Sequence, residues 1–258
     1  MGRVTVKKGA YMATEQIQFH TLANGEMTEI KRIDGRGHKY IVDGGAPMPS
    51  VTGLISHVET DGFGVGVGWA TKKIRESDGD LDAPKNASQE AIDLGNEVHE
   101  AIENYIKQGT VDETNLPFVS WLNAVGNFYT WKAGEAFLYH PDMHYGGTLD
   151  AISWKPYIPN GPDTILWDWK TKDPISYNKY GGSLKDHAQV ASYVFALDAM
   201  GSEFQVKKAK IAYIMRDGSG TDVVDVDVDA SMALFLTSRK MKLLAETYKH
   251  MTKPGLSG

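Results

Sequence analysis

Two strand-like segments joined by a turn constrain this chain more than any other feature of its sequence. Residues 145–154 and 164–170 are rich in β-branched and aromatic side chains. A turn near residues 159–160 would pair them and bring Asp150 to within about one residue of register with Asp168. Like charges that face each other across a strand pair are destabilising. The arrangement therefore predicts a bound cation between the two acids.

A lysine follows the second acid at strand spacing. Side chains alternate along a strand, so Asp168 and Lys170 share one face while Trp167 and Trp169 share the other. Two carboxylates and an ammonium group on one face suit phosphodiester hydrolysis. The acids would hold Mg²⁺ or Mn²⁺, and the lysine would position a water molecule or offset charge on phosphorus. The alternative interpretation is a solvent-exposed hairpin with ordinary surface charges.

Composition excludes several classes of site. The chain has 258 residues, 41% of them hydrophobic and 23% charged, which is typical of a globular α/β protein. It has no cysteine, which rules out disulfides, thiolate metal sites and iron–sulfur clusters. A formal net charge of −6 disfavours a protein that coats nucleic acid, although an enzyme with a local basic groove remains compatible.

Targeting and nucleotide-binding signals are absent from the sequence. We find no apolar run of membrane-spanning length and no signal-peptide core near the N-terminus, so we expect no membrane association and a cytoplasmic location. For a phage-encoded protein, that location would be the host cytoplasm. No phosphate-binding loop motif is present, so we expect neither a nucleotide cofactor nor an attached ATPase.

The chain divides into an appendage and a core. Residues 1–87 predict an unpatterned start over 1–20, a β-hairpin at 26–43, a short helix capped by Ser50 and a Gly-rich connection over 60–87. Residues 88–258 predict an α/β core with helices and strands in alternation. The predicted helices lie at 88–108, 116–131, 183–200 and about 230–250, and the predicted strands at 135–140, 145–154, 164–170, 208–216 and 222–229.

Two helices carry further polar candidates. On helix 88–108, His99 shares a face with apolar side chains, a position more often occupied by a buried core histidine than by a metal ligand. On helix 183–200, Gln189 and Tyr193 are four residues apart and therefore adjacent. That spacing is also typical of ordinary amphipathic packing.

Taken in order, these segments make the chain resemble the PD-(D/E)XK nuclease superfamily, and within it the RecB-like branch. That branch includes phage exonucleases and the mitochondrial genome maintenance exonuclease. PMPSVTGLI at 47–55 is similar to a segment that precedes the core in those members. The four core motifs are GNEVHEAIE at 95–103, GGTLDAI at 146–152, ILWDWKTKD at 165–173 and HAQVASYVFAL at 187–197.

The resemblance implies a restriction-endonuclease-like core, in which a central mixed β-sheet is flanked by helices. It implies that His99, Asp150 and Asp168 bind one or two Mg²⁺ or Mn²⁺ ions together with the Trp169 carbonyl. Lys170 would be the catalytic lysine, with Gln189 and Tyr193 supporting the site and the scissile phosphate. The implied activity is a deoxyribonuclease that acts as an exonuclease in phage-type recombination, replication or degradation, with endonuclease action as the alternative. The implied partners are DNA ends and a single-strand-binding or annealing protein.

Basic residues around these motifs are candidate DNA contacts. One group surrounds the proposed site and another lies in the Gly-rich connection beside Trp69. Clusters of lysines are more often ordinary solvent-exposed surface than DNA contacts, so both interpretations apply to these residues. The candidates are Lys172, Lys179 and Lys185 in the first group and Lys72, Lys73 and Arg75 in the second. The N-terminal appendage would cover the site and admit a single-stranded end, or act only as a stabilising cap.

Rival interpretations remain open from the sequence. His140 and His144 have a spacing that a zinc site could use, although the proline between them favours a turn. The acidic alternation at 223–229 lacks the spacing of a calcium loop and predicts an edge strand. A non-catalytic nucleic-acid-binding protein with a nuclease-like fold is the alternative from another functional class.

Overall fold

Two β-sheets and seven helices make up the described part of the protein. The structure is a computed structural model that describes residues 14–35, 37–56, 65–155, 163–206 and 208–249. The strands are β1 (Glu15–Thr21), β2 (Met27–Ile33), β3 (Lys39–Val42), β4 (Met48–Pro49), β5 (Thr130–His140), β6 (Tyr145–Lys155), β7 (Asp163–Lys172), β8 (Lys208–Met215) and β9 (Thr221–Asp225). The helices are α1 (Val51–Leu54), α2 (Val65–Glu76), α3 (Ala83–Gln108), α4 (Leu116–Ala124), α5 (Pro174–Tyr180), α6 (Leu184–Ala199) and α7 (Val228–Lys249).

The central sheet is mixed, with the strand order β5-β6-β7-β8-β9. Neighbouring strands are antiparallel except β7 and β8, which are parallel. A parallel pair needs a crossover connection, which α5 and α6 supply here. This architecture confirms the predicted α/β class, with a mixed central sheet flanked by helices.

Apolar side chains cover both faces of the central sheet. One face packs against α3 and α4 through an aromatic cluster of Trp121, Trp131, Trp167 and Trp169. The other face packs against α6 and α7, with Ala188, Ala191 and Phe235 fully buried. The tryptophans of β7 therefore point away from the face that carries Asp168, as strand alternation predicts.

The register of β6 and β7 sets the two acids level. The last recorded pair joins Ala151 to Trp167, and one step further along both strands places Asp150 beside Asp168. The predicted approach to within about one residue is therefore confirmed. The turn expected near residues 159–160 lies outside the described residues.

The N-terminal sheet is larger than the predicted hairpin. The hairpin at 26–43 is present as β2 and β3, but the strand order is β1-β2-β3-β4. Residues 15–21, expected to be largely unpatterned, pair with β2 over seven positions. Strand formation depends on cross-strand partners more than on local pattern, which is why the sequence did not reveal β1. Ser50 caps α1 by accepting a hydrogen bond from the Gly53 amide, as predicted.

Several element boundaries differ from expectation, and β5 begins at Thr130 instead of near residue 135. Helix α3 begins at Ala83, so the proposed division at residue 88 falls inside a helix. Helix α4 ends at Ala124, not near 131, because a 3₁₀ turn (Gly126–Phe128) leads into β5. Strand β9 stops at Asp225, because the Asp227 carboxylate accepts a hydrogen bond from the Ala230 amide and starts α7.

Bilayer-spanning helices are not found in the described part of the chain, where no helix has sufficient apolar length.

Candidate active site

An open cavity of about 610 Å³ lies between α3 and the strands β5, β6 and β7. Four of the predicted site residues line it, including His99, Asp150 and Lys170. Trp169 also borders the cavity, and its ring is buried in the aromatic cluster that packs against α3 and α4. Further lining comes from the α3 side chains Asn96, Glu100, Glu103 and Ile106 and from Glu135 of β5.

Lys170, which lines this cavity, forms a close ion pair with the buried Asp168. Lys170 Nζ lies 2.5 Å from Asp168 Oδ2, and the two side chains are 22% and 2% exposed. Burial raises the pKa of Asp168 to about 7, with the Lys170 ammonium opposing the rise and the Asp150 carboxylate adding to it. Burial alone would lower the pKa of Lys170, but the field of Asp168, Asp150 and Asp186 raises it. The lysine therefore stays protonated.

Asp150 is held from two sides. Its Oδ2 accepts a hydrogen bond of 2.6 Å from the Trp169 amide, which locks the carboxylate against β7. Its Oδ1 lies 3.6 Å from His99 Nδ1. The His99 side chain is 39% exposed, so it is not the buried core histidine of the alternative interpretation.

Gln189 of α6 approaches the Asp168 carboxylate and is bonded to Tyr193 of the same helix. Gln189 Nε2 donates to Tyr193 Oη at 2.7 Å and lies 3.4 Å from Asp168 Oδ1. Tyr193 is 3% exposed, and burial raises its pKa well above the usual range. The phenol therefore stays neutral and serves as a hydrogen-bonding group. The structure thus brings the two residues of the α6 motif to Asp168.

Two glycines at the start of β6 make room for aromatic rings near the site. A side chain at Gly146 would overlap the ring of Tyr40 from the N-terminal sheet. One at Gly147 would overlap the ring of Tyr193. The glycine pair of the GGTLD motif therefore allows α6 and the N-terminal sheet to approach Asp150 closely.

Glu135 is a site residue that sequence reasoning missed. In the β5–β6 register, Gly134 pairs with Ala151 and Ala136 with Leu149, which sets Glu135 level with Asp150. Its backbone has φ of 45°, a left-handed conformation that residues other than glycine adopt rarely. Its Oε1 lies 3.5 Å from Nη1 of Arg32 in β2. The sequence pattern does not predict the contact of Glu135 with Arg32, because Arg32 lies about a hundred residues away in the chain.

The donor types around the cavity suit a hard divalent cation. Two carboxylates, an imidazole and a backbone carbonyl at Trp169 are ligands that Mg²⁺ and Mn²⁺ accept. Among the described residues, no three His, Asp or Glu side chains already stand together as a ready ligand set. Lys170 pairs with Asp168, and the Trp169 amide donates to one oxygen of Asp150.

The predicted DNA contacts fall into two separate groups. Lys172 is partly buried and pairs with Asp186 at 3.0 Å, whereas Lys179 lies on the surface of α5 beside the Tyr180 ring. Lys185 is in the first turn of α6. On α2, Lys72 and Lys73 pair with Glu76, and Arg75 lies in the last turn. The described residues that line the cavity come from α3, β5, β6 and β7, so the α2 cations stand outside it.

The histidine pair at 140–144 forms a turn. His140 is buried, and its Nδ1 accepts a hydrogen bond from the Met143 amide. Its ring packs against Tyr145, and burial lowers its pKa. These contacts favour the turn over the zinc site that the spacing also allowed.

Comparisons with known proteins give no family assignment. No protein-family model matches the chain, and no curated protein matches it. A solved structure described as "Crystal structure of SSO0001" aligns with 16% sequence identity and a TM-score of 0.35. That alignment covers 74% of this chain and 75% of the other.

Proposed function

We propose that this chain is a Mg²⁺- or Mn²⁺-dependent deoxyribonuclease of the PD-(D/E)XK type, acting as an exonuclease on single-stranded DNA ends. One observation carries the proposal: Asp150 is level with Asp168, Asp168 pairs with Lys170, and both Asp150 and Lys170 line an open cavity. A buried acid beside a second acid is costly to maintain for stability alone. Perturbed acids of this kind are typical of active sites, so we attribute the pair of acids to a reaction at a charged substrate and not to stability.

The residues of the chain divide the chemistry among them. Asp150 and Asp168 would hold the cation, with His99 and the Trp169 carbonyl as further ligands. When bound, the ion lowers the pKa of a coordinated water and stabilises the charge that develops on phosphorus. The Lys170 ammonium offsets charge on the same phosphate or orients the attacking water. Gln189 bridges Tyr193 and Asp168 and so fixes the carboxylate from the helix side.

The role in DNA metabolism is proposed from the motif resemblance. Phage-type recombination, replication or degradation would use such an exonuclease, with a single-strand-binding or annealing protein as its partner. Action as an endonuclease is the alternative within the same chemistry. DNA binding without cleavage is the alternative outside it.

The test is cleavage of an end-labelled single-stranded oligonucleotide with Mg²⁺, Mn²⁺ or EDTA. We expect activity with either metal and none with EDTA. Asp168→Asn should lower the rate at least about a hundredfold, since even residues behind a metal ligand cost up to that much. Asp225→Asn is the matched control, because Asp225 lies at the far edge of the sheet with a 76% exposed side chain. Full activity in Asp168→Asn would refute the mechanism, and DNA binding without any cleavage would favour the non-catalytic alternative.

A further inference from the structure

The strand that carries the catalytic pair continues to a third charged side chain. Lys172 lies on the same face of β7 as Asp168 and Lys170. It follows Lys170 by two residues, or about 6.6 Å along a strand. A DNA strand whose scissile phosphate lies at Lys170 can therefore bring its next phosphate towards Lys172. This step rests on the proposed nuclease function.

Asp186 holds the ammonium group of this lysine. It lies in the first turn of α6, is 8% exposed, and its Oδ2 is 3.0 Å from Lys172 Nζ. Gln189 and Tyr193 follow at three and seven residues, so all three side chains share one face of α6. That face presents Gln189 and Tyr193 to Asp168, and Asp186 to Lys172.

An aromatic ring fixes the lysine from a second side. Lys172 Nζ lies 5.3 Å from the centre of the Tyr213 ring, and Tyr213 is fully buried. The backbone of Gly182 lies so close to that ring that any side chain there would overlap it. Because Gly182 leads directly into α6, the loop sets Asp186 and Tyr213 together around one ammonium group.

Lys172 nevertheless keeps access to solvent. Its side chain is 27% exposed, and an ammonium group has three donors, of which Asp186 takes one. The pair with Asp186 cancels most of the local charge, so Asp186 contributes orientation and not attraction. Lys179, by contrast, lies against Tyr180 on the surface of a short helix. Lys172 is thus fixed by contacts from two elements, α6 and β8.

We infer that Asp186 is a positioning residue that holds Lys172 to bind the phosphate next to the scissile one. The expected specificity is for a DNA strand with at least one further phosphate beyond the cleaved bond. Neither the family motifs nor the sequence pattern assigned a role to Asp186.

The test compares two substrates that differ in that phosphate. Bis(p-nitrophenyl) phosphate has one phosphodiester and no neighbour, whereas a single-stranded oligonucleotide has many. For Asp186→Asn and Lys172→Ala, kcat/KM for the oligonucleotide relative to the small ester should fall about tenfold, as loss of one charge-assisted hydrogen bond predicts. The loss should lie mainly in KM, and Asp186→Glu should recover part of it.

The matched control is Asp225→Asn, which breaks the Lys210–Asp225 pair (2.6 Å) at the β8–β9 edge. It should leave the substrate ratio unchanged. An equal loss on both substrates, or no change in the ratio, would overturn the inference. If circular dichroism shows that Asp186→Asn does not fold, the same kcat/KM ratio of oligonucleotide to small ester is measured for Asp186→Glu and Lys172→Gln instead.

Failure of the proposed function would be seen separately, as wild-type protein that cleaves neither substrate. Binding of a fluorescent oligonucleotide in Ca²⁺ then decides the role of Asp186. Weaker binding by Asp186→Asn and Lys172→Ala would support the positioning role of Asp186. For Lys172→Ala, the slope of log binding constant against log salt concentration should also be smaller by about one phosphate contact. Binding equal to wild type in both variants would overturn it.

Discussion

At the scale of single residues, Asp168 has the most perturbed environment of the acids at the site. Its side chain is 2% exposed, and burial raises its pKa to about 7 from an ordinary value of 3.8. The unfolded chain gives up this proton at lower pH than the folded chain does. Ionised Asp168 therefore lowers the stability of the metal-free protein, and the loss develops as pH rises from about 4 to about 7.

The loss of stability with rising pH leads to a prediction for the metal-free protein. Between pH 4.5 and 7.5, the free energy of unfolding of wild type should fall by more than about 1 kcal/mol relative to Asp168→Asn, which has no carboxylate to ionise. Urea unfolding in EDTA at several pH values measures the difference. Parallel pH profiles for the two proteins would show that Asp168 ionises normally.

His99 allows a second prediction at this scale. Its side chain is 39% exposed and lies 3.6 Å from Asp150, so His99→Ala should cost less than about 1 kcal/mol of stability. If His99 is a ligand, the same change should weaken Mn²⁺ binding at least about tenfold. Isothermal titration with Mn²⁺ and thermal unfolding test the two effects independently. If His99→Ala loses stability but keeps its Mn²⁺ affinity, His99 has a structural role and is not a ligand.

At the scale of elements, the two sheets are joined at the strained position of β5. Gln18 of β1 donates to the Glu135 carbonyl at 2.7 Å and accepts from the Phe137 amide at 2.8 Å. Arg32 of β2 reaches the Glu135 carboxylate and also Thr148 of β6. The N-terminal sheet thus stabilises the conformation of Glu135 beside Asp150. It contributes to the geometry of the site and not only to its cover.

Removing the Gln18 amide should therefore loosen this junction. Gln18→Ala removes the side chain that bonds the Glu135 carbonyl and the Phe137 amide, and should cost about 1–3 kcal/mol of unfolding free energy. Gln89→Ala is the control, since Gln89 bonds only within the exposed surface of α3, to Asp93. Denaturant unfolding compares the two variants. Equal stability of both would mean that the junction contributes nothing measurable.

At the scale of the whole molecule, α2 has the exposed side chains expected if the N-terminal appendage forms a channel that admits a single strand to the site. Trp69 is 41% exposed beside Lys72, Lys73 and Arg75, and α2 packs against α3, whose other residues line the cavity. Residues 57–64, which precede α2, lie outside the described part of the chain. Exposed aromatic and cationic side chains on one helix are the elements that bind single strands.

The channel proposal predicts that linear single-stranded DNA is degraded much faster than a covalently closed circle. Deleting residues 60–80 should relax this discrimination while the metal site remains. A milder variant, Trp69→Ala, should weaken single-strand binding by about 1–3 kcal/mol through lost stacking. Tyr248→Ala is its control, because Tyr248 is 55% exposed on α7. Equal cleavage of linear and circular strands by wild type would identify an endonuclease instead.

The sequence alone determined those parts of the protein that depend on local pattern and chain order. Strand alternation separated Asp168 and Lys170 from the two tryptophans of β7, and the hairpin placed Asp150 level with Asp168. The helical period identified α3 and α6 and set Gln189 beside Tyr193. These relations need only neighbouring residues or one short connection, so a single sequence is sufficient to predict them.

Only the tertiary structure decided the relations between distant segments. The contact of Gln18 with β5 joins residues 117 and 119 positions apart, and the strand β1 exists because β2 pairs with it. Glu135 and Asp186 acquired their places at the site in the same way. Their neighbours come from elements that no local period connects, and packing chose among many compatible arrangements. Register and periodicity act over a few residues, whereas the choice of long-range partners depends on the burial of the whole core.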